Sequence, residues 1–424
     1  MFAFGVSAML PDDRGGVTAP AARYVWRGGR VTGALRAVNE LVDALHHARP
    51  EDLPAMATRV AAGLGALDIE LFLVDYEQVD LLPLAGEHDM PGEPVHIDGT
   101  LAGRAYTSGE PVRAGTPGDE RIWVPVVSGS DRLGVLAAHV GAPPRDDAAF
   151  VRDLRVLAAA FAGIVASRRT YGDALERTRR RLPMQLAAEI IWNQLPPLTF
   201  ATGDAAVAAI LEPCYDVGGD AFDYAINGST LHVAVFDAVG HGIAASALTS
   251  LAISAYRNAR RCGLDLVDTC RSVDKWVHAQ YPDGYVTAAL GELDIDTGGY
   301  RRINAGHPEE LLLRGGRLVR SLPGPTALPL GLGYLGDGRP VVAEERLEPG
   351  DALLLYTDGM VEARTADGEQ FGIDRLVECV TKALADQVRP AETMRRLVRT
   401  LLSYQRDQLQ DDATALLLAW DPRP

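Results

Sequence analysis

The sequence predicts an α+β protein built as two globular parts with a helical connection between them. Three observations carry this. At 424 residues the chain exceeds what one hydrophobic core ordinarily serves. The first half reads as helices followed by strands, the second as a strand, two helices and then a run of strands. Between the halves, Leu154, Leu157, Phe161, Ile164 and Val165 recur at helical spacing.

Composition narrows the function classes. An apolar content of 47% with mean hydropathy near zero belongs to a soluble globular chain. The net charge of −16 argues against nucleic acid and against an anionic membrane surface as partners. It suits a basic protein partner or bound metal cations. The cysteines Cys214, Cys262, Cys270 and Cys379 show no C-x-x-C spacing, so they read as free thiols in a reducing compartment. No stretch has the apolar length of a membrane span, and the first residues lack the basic region of a signal peptide. The expected location is cytoplasmic.

Residues 1–31 show no periodicity and read as an irregular arm. From Thr32, Leu35, Val38, Val42 and Leu45 mark a helix, with a second from about Asp52 to Leu64. Strands follow at Ile69 to Val74, Leu81 to Leu84, Ile122 to Val127 and Leu133 to Val140. The last two are joined by the turn Ser128-Gly129-Ser130-Asp131. A short helix within Gly99–Tyr106 precedes Gly109-Glu110-Pro111. This order, with the phrases ELFLVD, GTLAGRAYTSGEPV and WVPVVSGSDRLGVLAAHV, resembles a GAF domain over residues 32–168. No cysteine is placed to attach a bilin, and His88, His96 and His139 are single histidines with no look of haem ligands. The resemblance implies a sensor whose input is an unknown small molecule or protein.

The connecting helix is expected to continue through Arg168, Tyr171 and Leu175 into Arg177, Arg179, Arg180 and Arg181, which read as a solvated basic face. Pro183 should end or kink it. A further helix carries Leu186, Ile190, Ile191 and Leu195. Residues 169–195 thus form a helical linker, a shape that suits dimerisation and signalling. The expectation is a homodimer in which Leu186, Ile190 and Leu195 pack on the partner or on the following domain.

The chemistry lies in residues 196–421. Leu231 to Phe236 is an apolar strand ending on Asp237, followed by glycines and a helix from Ile243 to Arg260. A second helix runs from Asp265 to Gln280. Val286 to Leu293 and Tyr300 to Asn304 flank a hairpin turn, and Glu310 to Leu313 pairs with Leu318 to Ser321. Ala352 to Thr357 is a buried strand ending on Asp358-Gly359, and Asp411-Asp412 immediately precede the strand Thr414 to Trp420. Asp220 adds a further acid beside two glycines. Buried carboxylates are costly unless paired or bound to metal. Strands ending at one rim of a sheet sandwich would gather these acids, and carboxylates crowded together repel unless cations sit between them. Oxygen ligands without Cys or His at ligand spacing point to Mg²⁺ or Mn²⁺. Two such ions about 3.5–4 Å apart form the usual clamp for hydrolysing a phosphate ester. No nucleophile elbow, Walker loop or cysteine-phosphatase loop is present, which leaves bound water as the nucleophile.

The motifs VGGDAFDY, FDAVGHG, NAGHP, LLLYTDGMVEAR, FGIDRL and DDAT, in this order, resemble the metal-dependent PPM-type serine/threonine phosphatases, in particular the branch like the stage II sporulation protein E. The resemblance implies an αββα sandwich of two antiparallel sheets with a dinuclear centre at one end. It makes Asp220, Asp237, Asp358 and Asp411 catalytic metal ligands, together with the backbone carbonyl of Ala238. Asp412 and Asp223 would support the site or the fold, and His241 and His307 would orient water or substrate or stabilise turns. The implied substrate is phosphoserine or phosphothreonine on a regulatory protein such as an anti-sigma-factor antagonist. The competing reading is a non-catalytic scaffold under sensor control. Four retained ligand aspartates favour catalysis, because a scaffold has no physical reason to keep repelling acids.

Overall fold

The computed structural model describes residues 48–86, 92–116, 118–141, 147–169, 171–336, 339–365, 368–404 and 411–422. The irregular arm, the helix expected from Thr32 to Leu45, and His88 lie outside the described residues.

The chain first forms α1 (Leu53–Leu64), β1 (Asp68–Val74), β2 (Asp80–Pro83), β3 (Val95–His96), α2 (Leu101–Ser108), β4 (Val112–Thr116), β5 (Asp119–Ser128), β6 (Asp131–Val140) and α3 (Asp147–Arg168). The strands make one six-stranded sheet in the order β3-β2-β1-β6-β5-β4, antiparallel at every pairing. Helices α1 and α3 cover one face through Leu53, Val60, Leu154, Leu157 and Phe161, which pack on Leu71, Val124 and Leu136. The opposite face carries α2, whose Ala105 and Tyr106 pack on Phe72 and Trp123. Thr100 caps α2 by accepting a hydrogen bond from the Gly103 amide at 3.0 Å. His96 and His139 each face an aspartate, Asp80 at 2.6 Å and Asp119 at 2.5 Å.

The connection departs from the sequence expectation. The first helix does not run on into the arginines: α3 ends at Arg168 and a separate short α4 (Ala174–Arg179) follows, while the further helix expected after Pro183 is α5 (Leu186–Trp192). Gly172 favours the first break, because glycine weakens a helix, and Pro183 sits inside the second, where a missing amide donor costs no helical bond. The basic run is a solvated face only in part: Arg177 and Arg181 are exposed, but Arg179 and Arg180 are half-buried. Arg179 lies over the Tyr76 ring at 4.5 Å and donates to the Val74 carbonyl at 3.0 Å. Arg180 pairs with Glu189 at 2.8 Å, and Arg181 reaches Asp80 at 3.3 Å and Glu77 at 3.4 Å. Carboxylates at the β1–β2 turn and on α5, with the Tyr76 ring, supply the partners that period counting could not see. On α5, Ala188 and Ile191 are buried in the core of the following domain, while Leu186 is exposed.

The second domain contributes β7 (Thr199–Ala201), β8 (Ala205–Glu212), β9 (Asp220–Asn227), β10 (Thr230–Ala238), α6 (Gly242–Arg261), α7 (Leu266–Gln280), β11 (Val286–Asp294), β12 (Gly299–Ala305), β13 (Leu311–Arg314), β14 (Arg317–Ser321), β15 (Thr326–Ala327), β16 (Ala343–Arg346), β17 (Asp351–Tyr356), α8 (Gly359–Glu362), α9 (Gly372–Ala385), α10 (Pro390–Tyr404) and β18 (Ala413–Trp420). One sheet runs β15-β12-β11-β10-β9, with β16 also on β12, and the other runs β14-β13-β17-β18-β8-β7. They face each other across Phe222, Val233, Val235, Leu353, Leu355 and Leu416. Helices α6 and α7 cover the outside of the first sheet, and α9 and α10 the outside of the second. This is the expected αββα sandwich. The amphipathic α9 and α10 bury Leu376, Val380, Leu397 and Leu401 at helical spacing against β17 and β18.

The two domains touch through α10. Arg395 and Glu392 are buried there, and Arg395 donates to Asp98 at 2.6 Å while Arg132 donates to Glu392 at 3.3 Å. The tip of the β5–β6 hairpin adds a second contact, where Thr199 donates to the Ser130 carbonyl at 2.8 Å. Among the described residues no helix is long and apolar enough to cross a membrane, and the four cysteines are free.

Candidate active site

The site is assembled where strands of both sheets end. Asp220 opens β9 and Asp237 nearly closes β10, and the antiparallel register sets them directly opposite one another. On its other side Asp237 faces Thr287 of β11. From the second sheet, Asp358 follows β17 and Asp411-Asp412 precede β18, whose Ala415 pairs with Tyr356. Sequence-distant acids therefore arrive at one rim because antiparallel neighbours begin and end there.

Burial and proximity shift the titration of most of them upward. The Asp220 carboxyl is held well above the usual carboxylate range by burial, with Asp237 and Asp412 pushing the same way. Burial lifts Asp237 to about 7, and Asp358, Asp411 and Asp412 add to the effect. Asp358 is raised by burial, then by Glu362 and Asp411. Among the described residues no lysine or arginine forms an ion pair with any of these five aspartates. What opposes the repulsion is neutral. The Thr357 hydroxyl donates to Asp220 at 2.7 Å, and that of Thr287 to Asp237 at 3.4 Å. An all-oxygen set of acids without basic partners fits hard divalent cations on donor chemistry. Among the described residues no three His, Cys, Asp or Glu side chains close around a single point.

Asp412 has a different task from its neighbour. Its Oδ2 accepts the amides of Gly218, Gly219 and Asp220 at 2.9, 2.6 and 3.2 Å, which ties the start of β9 to the start of β18. Burial nonetheless keeps its carboxyl above the ordinary range. The close approach explains two glycines of the motifs. A Cβ at Gly219 would stand 2.8 Å from the Ala238 carbonyl oxygen, and one at Gly359 would stand 1.9 Å from that of Asp412. Ala238 itself is buried at the end of β10, and its amide donates to the Gly219 carbonyl at 3.1 Å.

Asp223 is not at the rim chemistry. It is buried on β9 between Arg257 at 2.6 Å and Arg260 at 2.9 Å, both from α6. His307 is buried, and burial pushes its imidazole down to about 3, so it is neutral. Its Nδ1 meets the Thr287 hydroxyl at 2.9 Å, and Asn304 fixes its backbone, accepting the His307 amide at 2.9 Å. His307 thus reaches Asp237 only through Thr287. His241 is exposed just before α6 and makes no capping bond. Thr357 and Thr287 are the functional side chains that the motifs did not single out. Thr357 stands immediately before Asp358, which was signal enough to weigh it, whereas Thr287 could be found only from the register of β10 with β11.

The second domain is similar to known proteins. Residues 227–421 match the family model described as Stage II sporulation protein E (SpoIIE). The phosphoserine phosphatase RsbU of Bacillus subtilis is 24% identical over 216 residues, covering 50% of this chain and 62% of that protein. Protein IcfG of Synechocystis is 23% identical over 232 residues, covering 47% of this chain and 36% of that protein. The chain therefore spans less than two thirds of either relative. A crystal structure of the RsbU and RsbW domains of Rv1364c from Mycobacterium tuberculosis is 28% identical with a TM-score of 0.46, covering 54% of this chain and 64% of that one. Over residues 227–421 the second domain matches the SpoIIE-like branch of the PPM-type phosphatases.

Proposed function

We propose that the chain is a metal-dependent protein-serine/threonine phosphatase acting on a phosphorylated regulatory protein, such as an anti-sigma-factor antagonist, under control of its N-terminal domain. The observation that carries this is the gathering of acids from two sheets at one rim with no basic partner among the described residues. Asp220, Asp237, Asp358 and Asp411, with the Ala238 carbonyl, would hold two Mn²⁺ or Mg²⁺ ions, which supply Lewis-acid activation of water and of the phosphoryl group. The chain's own part is orientation. Asp412 pins the loop bearing Asp220 through three amides, Thr357 fixes the Asp220 carboxyl, and the neutral His307 fixes Thr287 beside Asp237. RsbU, named a phosphoserine phosphatase, supports the substrate class.

The purified chain is expected to hydrolyse a phosphoserine peptide and p-nitrophenyl phosphate with Mn²⁺, to lose that activity in EDTA, and to keep it after thiol alkylation. Activity that persists through metal removal would falsify the reading.

The N-terminal domain is read as a GAF-like sensor, on its antiparallel sheet with helices on both faces, and the chain as cytoplasmic. The region around α5 is read as a homodimer contact, since Leu182 and Leu186 are exposed and Ile190 is half-buried beside them. Ile190→Glu should turn a dimer into a monomer in light scattering and abolish regulation without unfolding the catalytic domain. A wild-type chain that is monomeric at all concentrations tested removes this contact from the model of control.

A further inference from the structure

A cleft of about 310 Å³ lies between the β1–β2 and β5–β6 turns of the first domain, the helices α4 and α5, and the segment leading into β7. It is near the lower end of the sizes at which proteins hold small molecules. Four guanidinium groups line it, Arg132, Arg169, Arg179 and Arg180, against three carboxylates, Asp131, Glu176 and Glu189.

Ion pairing accounts for most of these charges. Arg169 meets Glu176 at 2.8 Å, Arg180 meets Glu189 at 2.8 Å, and Arg132 turns to Glu392 at 3.3 Å. Arg179 and Asp131 are left over. Arg179 is anchored by the Tyr76 ring and by its Nε bond to the Val74 carbonyl, and among the described residues its two terminal amino groups meet no carboxylate. The buried Nε of Arg180 also lacks an acceptor. Asp131, at the hairpin tip, has no ion-pair partner among the described residues either. Burial raises its carboxyl above the ordinary range, although Arg179, Arg169 and Arg132 pull it back from a distance. Tyr76, Tyr106 and Trp192 complete the wall.

A cation without a carboxylate partner and a half-buried carboxylate without an ion-pair partner share one cleft without touching. A simple anion would satisfy Arg179 but stand against Asp131, and a simple amine would do the reverse. A molecule carrying both charges answers both groups and uses the idle donors. We propose that this cleft binds a small zwitterion of the α-amino-acid class, its carboxylate on Arg179 and Arg180 and its ammonium on Asp131. The walls belong to both domains, so occupancy ties the first domain to α5, whose Ile191 is buried in the catalytic core. The site is independent of the phosphatase reading, since its test needs no turnover.

The test is thermal unfolding of the full-length chain with each proteinogenic L-amino acid in turn at millimolar concentration. At least one should raise the melting temperature saturably, by about a few degrees. Its analogue lacking the carboxylate and its analogue lacking the amine should both fail to do so. Asp131→Asn preserves size and should weaken the midpoint concentration by about tenfold or more, as should Arg179→Met. Should Arg179→Met not fold, Asp131→Asn still decides. Absence of any saturable shift, or a shift unchanged in Asp131→Asn, overturns the proposal.

Discussion

Replacing Asp237 with asparagine is expected to lower phosphatase turnover by about a hundredfold or more, as loss of a charge at the reacting centre does, while making the metal-free protein more stable. Asparagine keeps the shape of the side chain and the backbone pairing of β10 with β9 and β11. It removes the one carboxylate placed between Asp220 across the strand pair and Asp358 and Asp411 from the other sheet. The stability gain has a pH signature. Asp237 titrates at about 7 in the fold against an unperturbed 3.8, so between those values the folded state holds a proton that the unfolded state has lost. Folding stability therefore falls as pH rises through this window, and the loss is complete above it. In EDTA, the variant should match wild type near pH 4 and exceed it increasingly up to pH 7, with a constant margin beyond. Denaturant melts across this range, paired with turnover in Mn²⁺, check both halves. Near-normal turnover in Asp237→Asn would remove this residue from the reacting centre.

Asp223→Ala, only three residues from Asp220, should do the opposite: little to metal dependence and much to folding. The side chain is buried, and it pairs at once with Arg257 and Arg260. Truncating it leaves both guanidinium groups without this carboxylate, and Arg260 is nearly buried at 8% exposure. Removing one partner of a buried pair costs about 3–5 kcal/mol. The variant should therefore melt well below wild type, and the metal concentration needed for half-maximal turnover of the folded fraction should be unchanged. A melting curve superimposable on that of wild type would show that the two arginines find other acceptors.

The contrast between these two aspartates measures what the sequence could and could not reveal. Asp237 and Asp358 were legible because each closes a mostly apolar run with glycine within the next three residues, a pattern that makes little sense for a helix or a solvated loop. Asp223 has no such flank, and its role is set by arginines on α6 more than 30 positions away. The hairpins of β11–β12 and β13–β14 were legible from their glycine turns. Strand β8 was not, since Ala205–Glu212 is rich in alanine, shows no alternation, and is a strand because β18 and β7 pair on its two sides. The connection between the domains failed for a related reason. Apolar spacing suggested that the helix of Leu154 to Val165 runs on into the arginines, but it ends at Arg168, and beyond the break Arg179, Arg180 and Arg181 are drawn to Tyr76, Glu189 and Asp80. Periodicity reports how a segment buries its own apolar face, and it is blind to partners supplied by another domain.

The facing of Asp220 and Asp237 across β9 and β10 also limits how this site can change over evolutionary time. The two strands stay in step from the turn at Asn227 and Thr230 to the acids, a length of about 24 Å at strand rise. Because side chains alternate, one extra residue anywhere within Leu231–Phe236 would turn Asp237 to the opposite face of its sheet. An extra residue in the turn around Gly228 would merely enlarge a loop. The strand acts as a ruler with a fixed zero at the acids, so insertions can collect at its far end and nowhere along its scale.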